Sequence, residues 1–309
     1  MGGRLMLRLT RRCNCACEHC TLLDLPALPD LEARDALREL VEARGRGCDE
    51  LVVMRGEPTL RRELPALAAA ARKLGYRHVQ LQTNGRMLCY APYLDGLLAA
   101  GVNFFEVSLF GPSAAVHDAI AREDGAFAQT RDGLANLVAR GAAHLVTIPV
   151  LARNLEHLEE TVALVADLGL SAVQLNFTRP VRLMGVVRVE GLATLTEAGP
   201  KIRAAMGRAR ARGLATSSEA VPLCHLDPAD RPGAERPEFF VDVRVVDLHR
   251  RHASFAAHQR ENRPRAPACS ACDLVDRCPV TWAAYQEVHG HGELTPIRER
   301  RADAGSSAP

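Results

Sequence analysis

Short apolar segments alternate with longer amphipathic segments over the first 180 residues of the chain. The apolar segments are rich in Val, Leu and Phe and are bounded by Gly, Asn or Arg, which is typical of buried strands. They lie at residues 5–9, 51–54, 79–82, 104–109, 145–150 and 172–177. Because strands buried on both faces occur mostly in parallel sheets, the pattern predicts a parallel sheet.

The amphipathic segments between these strands predict helices. Residues 31–43, 60–74 and 155–168 carry apolar residues near helical spacing, and a glycine follows the second and third segments, as at many helix C-termini. A further helix is expected at residues 191–214. Repeated strand and helix units indicate βαβ crossovers, so we predict an α/β fold with its chemistry at the carboxyl ends of the strands.

The composition of the chain changes after residue 214. Residues 215–268 are enriched in Pro, Asp, Arg and Ser and contain one predicted strand at 239–246, and residues 302–309 are small and polar. These changes predict three regions. They are an α/β core over residues 1–214, a small cysteine-rich extension over residues 215–295, and a disordered tail over residues 296–309.

The charge balance argues against several classes of partner. The chain has 39 basic and 37 acidic residues, so its field is too weak to favour nucleic acid or a membrane surface. No apolar run approaches 18 residues and no signal-peptide pattern is visible, so neither a membrane span nor export is expected. Ten cysteines in such a chain indicate metal or redox chemistry, and the cytoplasm is the expected location.

Three cysteines follow the first predicted strand. Cys13, Cys17 and Cys20 have the spacing C-x-x-x-C-x-x-C. Three thiolates on one loop can hold three corners of a 4Fe–4S cluster, which usually has four cysteine ligands, and one iron then stays open. The spacing alone indicates a cluster or a soft-metal site, with zinc as an alternative. Cys15 lies out of this register, and we expect it to be an unused thiol or a neighbour of the ligands.

This cysteine spacing is the signature of the radical S-adenosylmethionine (SAM) superfamily, which the chain resembles from residue 4 to about residue 177. The resemblance implies an open (β/α)6 partial TIM-like barrel, a 4Fe–4S cluster on the three cysteines, and SAM on the open iron. Residues 54–58 resemble the superfamily's G-G-E-P element, which binds the methionine amino group of SAM. The implied residues are Gly56, Glu57 and Pro58, and the tight turn aims acceptors at the ammonium. Arg55 replaces the first glycine.

Polar residues at the ends of later strands extend the resemblance. They imply that Thr83 and Asn84 lie near the methionine or ribose of SAM and that Ser108 binds the ribose. Asn154 and Asn176 are implied to contact the adenine. Ser108 also interrupts an otherwise apolar strand, and a buried hydroxyl needs a partner, which a ligand can supply.

A second cysteine set lies near the C-terminus. The run C-x-x-C-x-x-x-x-x-C and one upstream cysteine supply four thiolates, which suit one 4Fe–4S cluster or a tetrahedral zinc site. The four residues are Cys224, Cys269, Cys272 and Cys278. The run resembles the core of the SPASM domain, but Trp282 occupies the position of its next cysteine. The resemblance therefore implies a reduced, twitch-like module with a single auxiliary 4Fe–4S cluster, and zinc stays an alternative.

The resemblance also implies a reaction. Reductive cleavage of SAM would give a 5′-deoxyadenosyl radical that abstracts hydrogen from a substrate, with a flavodoxin or ferredoxin as the reductant. Members with auxiliary clusters often modify peptides, so we expect a peptide or protein side chain as substrate, free or presented by a separate protein. His117 is the best histidine for substrate contact, with a helix-surface position as its alternative.

Two other functions remain open at this point. A small-molecule dehydrogenase, epimerase or carbon-skeleton enzyme of the same superfamily would use the same SAM site. A non-catalytic iron–sulfur or zinc redox sensor would use both cysteine sets without binding SAM. Thr83, Asn84 and Ser108, three polar residues at strand ends, count against the sensor, because a sensor does not need them.

Overall fold

The computed structural model describes residues 2–24, 29–248, 250–251 and 254–299. Parallel strands form the centre of its main sheet and coincide with the six predicted segments. They are β1 (Gly3–Arg8), β2 (Cys48–Met54), β3 (His78–Thr83), β4 (Phe104–Ser108), β5 (His144–Val150) and β6 (Ala172–Phe177). The predicted α/β fold with a parallel sheet is confirmed.

Helices connect the strands, and all but the fourth of those named next share one apolar core with the strands, while the fourth packs in a second apolar cluster. They are α1 (Ala33–Gly45), α2 (Leu64–Lys73), α3 (Ala91–Ala99), α4 (Ala114–Ala121), α5 (Ala126–Ala139), α6 (Leu158–Asp167) and α7 (Leu195–Ala211). The helix predicted at 60–74 begins four residues late, because residues 58–60 form a 3-10 turn. In the described ranges, none of the helices has both the length and the apolar character needed to cross a bilayer.

Additional strands follow β6. The strands β7 (Val181–Leu183) and β8 (Val186–Arg188) form a separate antiparallel hairpin. Two more parallel strands extend the main sheet, since β9 (Ala215–Glu219) pairs with β6 and β10 (Val243–Asp247) pairs with β1. Among the described residues the strand order is β11-β10-β1-β2-β3-β4-β5-β6-β9, where β11 (Arg250–Arg251) is a short antiparallel edge strand.

These additional strands bear on the predicted regions. Residues on both sides of position 214 share one sheet, because β9 and β10 lie in the proposed extension. The strand predicted at 239–246 begins only at Val243, because residues 237–240 form a 3-10 turn that starts at a proline. The division into residues 1–214, 215–295 and 296–309 stays a prediction, and residues 300–309 lie outside the described part of the chain.

The two faces of the parallel strands differ sharply in polarity. On β4, Phe105 and Val107 are fully buried in the apolar core, whereas Glu106 and Ser108 face the interior of the curved sheet. The other parallel strands alternate in the same way, so residues from all eight meet at one interior cavity. The sheet therefore curves into a partial barrel, with a polar interior and an apolar exterior covered by helices.

The C-terminal residues pack against the barrel through α8 (Phe255–Asn262) and α9 (Ala283–His289). The indole Nε1 of Trp282 donates to the carbonyl of Phe177 at 2.8 Å, at the end of β6. The hydroxyl of Tyr285 accepts from the backbone N–H of Leu195 at 2.7 Å, at the start of α7. Because both hydrogen bonds are buried, they hold the C-terminal residues in a defined position against the barrel.

We expect Phe105→Ala to destabilise the fold by about 3–5 kcal/mol, because it removes a fully buried ring from the layer between sheet and helices. Phe239→Ala is the matched control, since that ring is 56% exposed and its loss should change stability by less than about 0.5 kcal/mol. Thermal unfolding of both variants measures the difference. Equal shifts of Tm would contradict the assignment of this strand face to the core.

Candidate active site

A cavity of about 790 Å³ occupies the interior of the partial barrel. Cys13, Cys17 and Cys20 all line it, as do the predicted site residues at the strand ends, with exceptions described below. The predicted residues on its wall are Gly56, Thr83, Asn84, Ser108 and Asn176. The structure therefore brings the predicted cysteine ligands and most of the predicted cofactor contacts to one space.

Backbone hydrogen bonds hold the cysteine loop against the barrel. The N–H groups of Ala16 and Glu18 donate to carbonyls at the end of α4, each at 3.0 Å. The N–H of Cys20 donates to the carbonyl of Cys17 at 3.1 Å, which closes a tight turn between two of the cysteines. The loop conformation thus depends on α4 and not on the cysteine side chains alone.

Cys15 does not line the cavity, in contrast to the other three cysteines of the loop. Its sulfur lies 3.5 Å from the Nδ2 of Asn84 and 3.6 Å from a guanidinium nitrogen of Arg86. Asn84 also donates to the Oδ1 of Asn14 at 2.7 Å. Cys15 therefore lies where it connects the loop to the end of β3.

A left-handed turn follows β2. Arg55 has a φ of 66° and Gly56 a φ of 60°, so both residues adopt a backbone conformation that favours glycine. A Cβ on Gly56 would lie 2.5 Å from the carbonyl oxygen of Thr10 and 2.8 Å from that of Arg12. Gly56 is therefore needed for the close approach of this turn to the start of the cysteine loop.

Glu57 is used inside the protein rather than on the cavity wall. Its carboxylate is 1% exposed and accepts four hydrogen bonds, which come from the N–H and hydroxyl of Thr59, the hydroxyl of Thr83 and the N–H of Asn84 at 2.6–3.0 Å. Burial raises its pKa, although these donors oppose the shift. Pro58 is also buried beside it. Both residues position the turn from behind and do not border the cavity.

Asn154 also lies behind the wall. It is fully buried, and its amide donates to the carbonyls of Phe110 at 2.9 Å and Pro149 at 2.7 Å. Its Oδ1 accepts from the N–H of Leu151 at 2.9 Å. All its polar atoms are therefore engaged in joining the ends of β4 and β5, so the predicted adenine contact is not what the geometry provides.

His117 was placed wrongly from the sequence, and His19 was not identified. His117 is neither on the cavity nor on the surface, because it is 1% exposed and its Nδ1 accepts from the N–H of Phe110 at 3.1 Å. Burial lowers its pKa to about 4. His19, within the cysteine loop, lines the cavity instead, and burial likewise lowers its pKa to about 4.

Charged residues also line the cavity wall. One side carries Arg8, which pairs with Asp247, together with Arg55 and Arg179. Burial, and after it the charge of Arg8, lowers the pKa of Arg55 to about 9. The other side carries glutamates on β4 and β9. The sequence signal for a polar cavity wall was the alternation in β3, His-Val-Gln-Leu-Gln-Thr, which places a polar residue at every second position of the strand.

The second cysteine set surrounds a small separate cavity of about 20 Å³. All four predicted residues, Cys224, Cys269, Cys272 and Cys278, line it. Backbone N–H groups donate to their sulfur atoms, at 3.3 Å to Cys272 and twice at 3.4 Å to Cys278. Such N–H groups stabilise negative charge on sulfur, so these thiols suit a metal or a cluster.

Comparison with known proteins identifies the class. Residues 7–165 match the family model of the radical SAM superfamily, and the match spans just over half of the chain. The chain therefore belongs to this superfamily. Membership implies a 4Fe–4S cluster and SAM, and three thiols that face one large cavity fit such a cluster with one open iron.

Two curated relatives match just over half of the chain. The chain is 32% identical over 174 residues to the AdoMet-dependent heme synthase of Methanosarcina barkeri, which covers 56% of this chain and 49% of that protein. It is 32% identical over 167 residues to the PqqA peptide cyclase of Ruegeria pomeroyi, which covers 53% of this chain and 44% of that protein. The matches thus span about half the length of these relatives.

A solved structure matches over almost the whole chain. SuiB from Streptococcus suis, bound to S-adenosylmethionine, superposes with a TM-score of 0.68 at 13% identity. The match covers 96% of this chain and 76% of that one. At this identity the likeness concerns the fold alone, and it confirms the predicted partial barrel.

We expect Gly56→Ala to displace the cysteine loop, because its methyl group would collide with the carbonyl of Thr10. Gly141→Ala is the matched control, since Gly141 also has a φ of 60° but a Cβ added there would meet no atom within 4 Å. Both variants share a backbone cost of about 1–2 kcal/mol. Gly56→Ala should therefore lower Tm further and increase the rate at which Cys13 reacts with a thiol reagent. Indistinguishable variants would contradict the proposed close contact.

Proposed function

We propose that this chain is a radical SAM enzyme that modifies a peptide or protein side chain. The observation that carries the proposal is the convergence of Cys13, Cys17 and Cys20 with the polar ends of β3, β4 and β6 on one cavity. When bound to these cysteines, a reduced 4Fe–4S cluster would supply the electron for reductive cleavage of SAM, the source of the radical that would abstract hydrogen from the substrate.

The residues of the site divide into contacts and supports. Cys13, Cys17 and Cys20 would hold the cluster, which leaves one iron for the amine and carboxylate of SAM. The contacts on the cavity wall are Gly56, Thr83, Asn84, Ser108 and Asn176. The supports are Glu57, Pro58 and Asn154, which hold the backbone of the strand ends in place.

A peptide substrate is supported by the relatives and by the cavity. One relative is named a peptide cyclase, and SuiB has been solved bound to its precursor peptide SuiA. The cavity of about 790 Å³ has room for a substrate segment beside SAM. The proposal has three further parts. A separate protein presents the peptide, flavodoxin or ferredoxin supplies the electron, and the enzyme acts in the cytoplasm.

A small-molecule substrate is the second candidate. The observation that favours it is the similarity to the AdoMet-dependent heme synthase. Coexpression with candidate precursor peptides, followed by mass spectrometry of the peptides, distinguishes the two. A mass change that depends on Cys13 would support the peptide, and its absence with turnover of a small metabolite would support the alternative.

We also propose a single auxiliary 4Fe–4S cluster on Cys224, Cys269, Cys272 and Cys278. The four thiols line one small cavity, and four sulfur ligands suit one 4Fe–4S cluster as well as a zinc ion. The likeness of the C-x-x-C-x-x-x-x-x-C run to the core of the SPASM domain is what supports the cluster.

We expect Cys13→Ala to abolish formation of 5′-deoxyadenosine from SAM after anaerobic reconstitution, since one cluster corner is lost. Cys15→Ala is the matched control from the same loop and should retain most of the activity, because Cys15 lies off the cavity. Chromatographic detection of 5′-deoxyadenosine measures both. Activity that survives replacement of all three proposed ligands would refute the proposed site.

We expect Cys272→Ala to lower the iron content by about four atoms per chain while cleavage of SAM continues. The reason is that Cys272 lines only the C-terminal cavity, apart from the SAM site. Iron, sulfide and zinc analysis of wild type and variant checks this. One zinc per chain in the wild type, lost in the variant, would show that these thiols bind zinc instead.

A further inference from the structure

One guanidinium on the wall of the main cavity is unpaired in the described part of the chain. Arg55 lines the cavity, and among the described residues its side chain makes neither a hydrogen bond nor an ion pair. The residue is only partly exposed, but its guanidinium nitrogens keep accessible surface. Because a charge that is withdrawn from water without a partner is costly, a group that enters the cavity is the expected partner.

The ends of three neighbouring strands explain why Arg55 is unpaired. Arg8 on β1 is aligned with Asp247 on β10 and with Met54 on β2. Arg55 directly follows Met54. The guanidinium of Arg8 pairs with Asp247, and both residues are buried. The carboxylate of this row is therefore engaged by Arg8 and does not pair with Arg55.

The charges around Arg55 favour an anion. Arg179, which follows the end of β6 by two residues, lines the same cavity. Burial, and after it the charge of Arg8, lowers the pKa of Arg55 to about 9, and Arg179 adds to the shift while Asp247 opposes it. Arg55 therefore stays charged at neutral pH, and an anion beside it would relieve the repulsion between these cations.

The backbone gives an independent indication that the side chain at position 55 is used. Its φ of 66° lies in the left-handed region that favours glycine, and the related superfamily motif has glycine there. An arginine at this position costs stability that a glycine would not. Because no hydrogen bond or ion pair within the described residues offsets this cost, contact with a ligand is the role that the position leaves for it.

The carboxylate of SAM is not the expected partner. In the proposed function, the amine and the carboxylate of SAM bind the open iron, and its sulfonium then adds a positive charge to the cavity. The glutamates of the wall lie on the other side, on β4, β9 and the loop that follows β9. A sulfonium and unneutralised arginines together attract an anion from a second molecule.

We propose that Arg55 and Arg179 form a subsite for a carboxylate of the substrate, either a C-terminal carboxylate or that of an acidic side chain. The planar guanidinium of Arg55 can donate to both carboxylate oxygens at once, and Arg179 adds positive charge. The inference rests on the proposed function in one respect, because it takes the occupant to be part of the substrate.

The test is isothermal titration of the reconstituted, SAM-loaded full chain with two matched pairs of probes. The α-amides of Nα-acetylglutamate and Nα-acetylglutamine differ only in the side-chain carboxylate. Nα-acetylnorleucine and its amide differ only in the terminal carboxylate. We expect the acid of at least one pair to bind about tenfold more tightly than its amide, since charge-assisted bidentate hydrogen bonds are among the strongest. The pair that shows the difference identifies the source of the carboxylate.

Variants locate the effect. Arg55→Gly should remove the preference for the acid without lowering Tm, because glycine tolerates the left-handed backbone. Arg122→Gly is the matched control, since Arg122 also has a positive φ, of 53°, but is exposed and does not line the cavity. It should likewise keep Tm and should retain the full preference. Arg179→Gln should reduce the preference, which gives a second test of the same subsite.

Three outcomes would overturn the proposal. They are equal affinity within both pairs, a preference that Arg55→Gly retains, and a loss of SAM affinity in Arg55→Gly while the probes still bind. The last would assign Arg55 to the carboxylate of the cofactor. Formation of 5′-deoxyadenosine is measured separately on the same samples. A protein that prefers carboxylates but forms no 5′-deoxyadenosine would contradict the enzymatic proposal and leave the subsite intact.

Discussion

The buried carboxylate of Glu57 is the interaction on which the site depends. It accepts hydrogen bonds from the turn after β2 and from the end of β3, while its own N–H donates to the carbonyl of Arg12 at 2.8 Å at the start of the cysteine loop. Three separate chain segments are therefore fixed relative to one another by a single residue. A buried carboxylate that loses its hydrogen-bond donors is destabilising. Movement of any one of the three segments would therefore weaken the arrangement of the other two.

The sequence was a good guide to the barrel and a poorer guide to orientation within the site. The six central strands and the cysteine loop are where the pattern and the spacing place them. Strand β9 escaped prediction because Ala-Thr-Ser-Ser-Glu has no large apolar residue, and only its pairing with β6 makes it a strand. Asn154 follows a strand and Ser108 ends one, so the sequence alone does not distinguish their orientations. In the fold, Asn154 donates to backbone carbonyls behind the cavity wall, whereas Ser108 lines the cavity.

The two charged sides of the cavity would orient an occupant. Arg55 and Arg8 lie on the side of the cysteine loop, and the glutamates lie on the side of β4 and β9. Arg55 stands where the related motif has glycine, and its left-handed backbone costs about 1–3 kcal/mol for a residue with a Cβ. A guanidinium that is kept at such a position, partly buried and close to Arg8, makes this side of the cavity selectively attractive to anionic groups.

Trp282 connects the two cysteine regions physically. Its indole donates to the end of β6, lines the main cavity, and lies 4.0 Å from the guanidinium carbon of Arg263, measured to the ring centroid. Arg263 in turn pairs with Glu235 on the acidic side. Trp282 is also only four residues from Cys278, so the backbone that shapes the C-terminal thiol cavity continues directly into the wall of the barrel. The C-terminal thiol cavity and this part of the barrel wall are therefore built from one continuous stretch of chain, and a stacked arginine joins that stretch to Glu235.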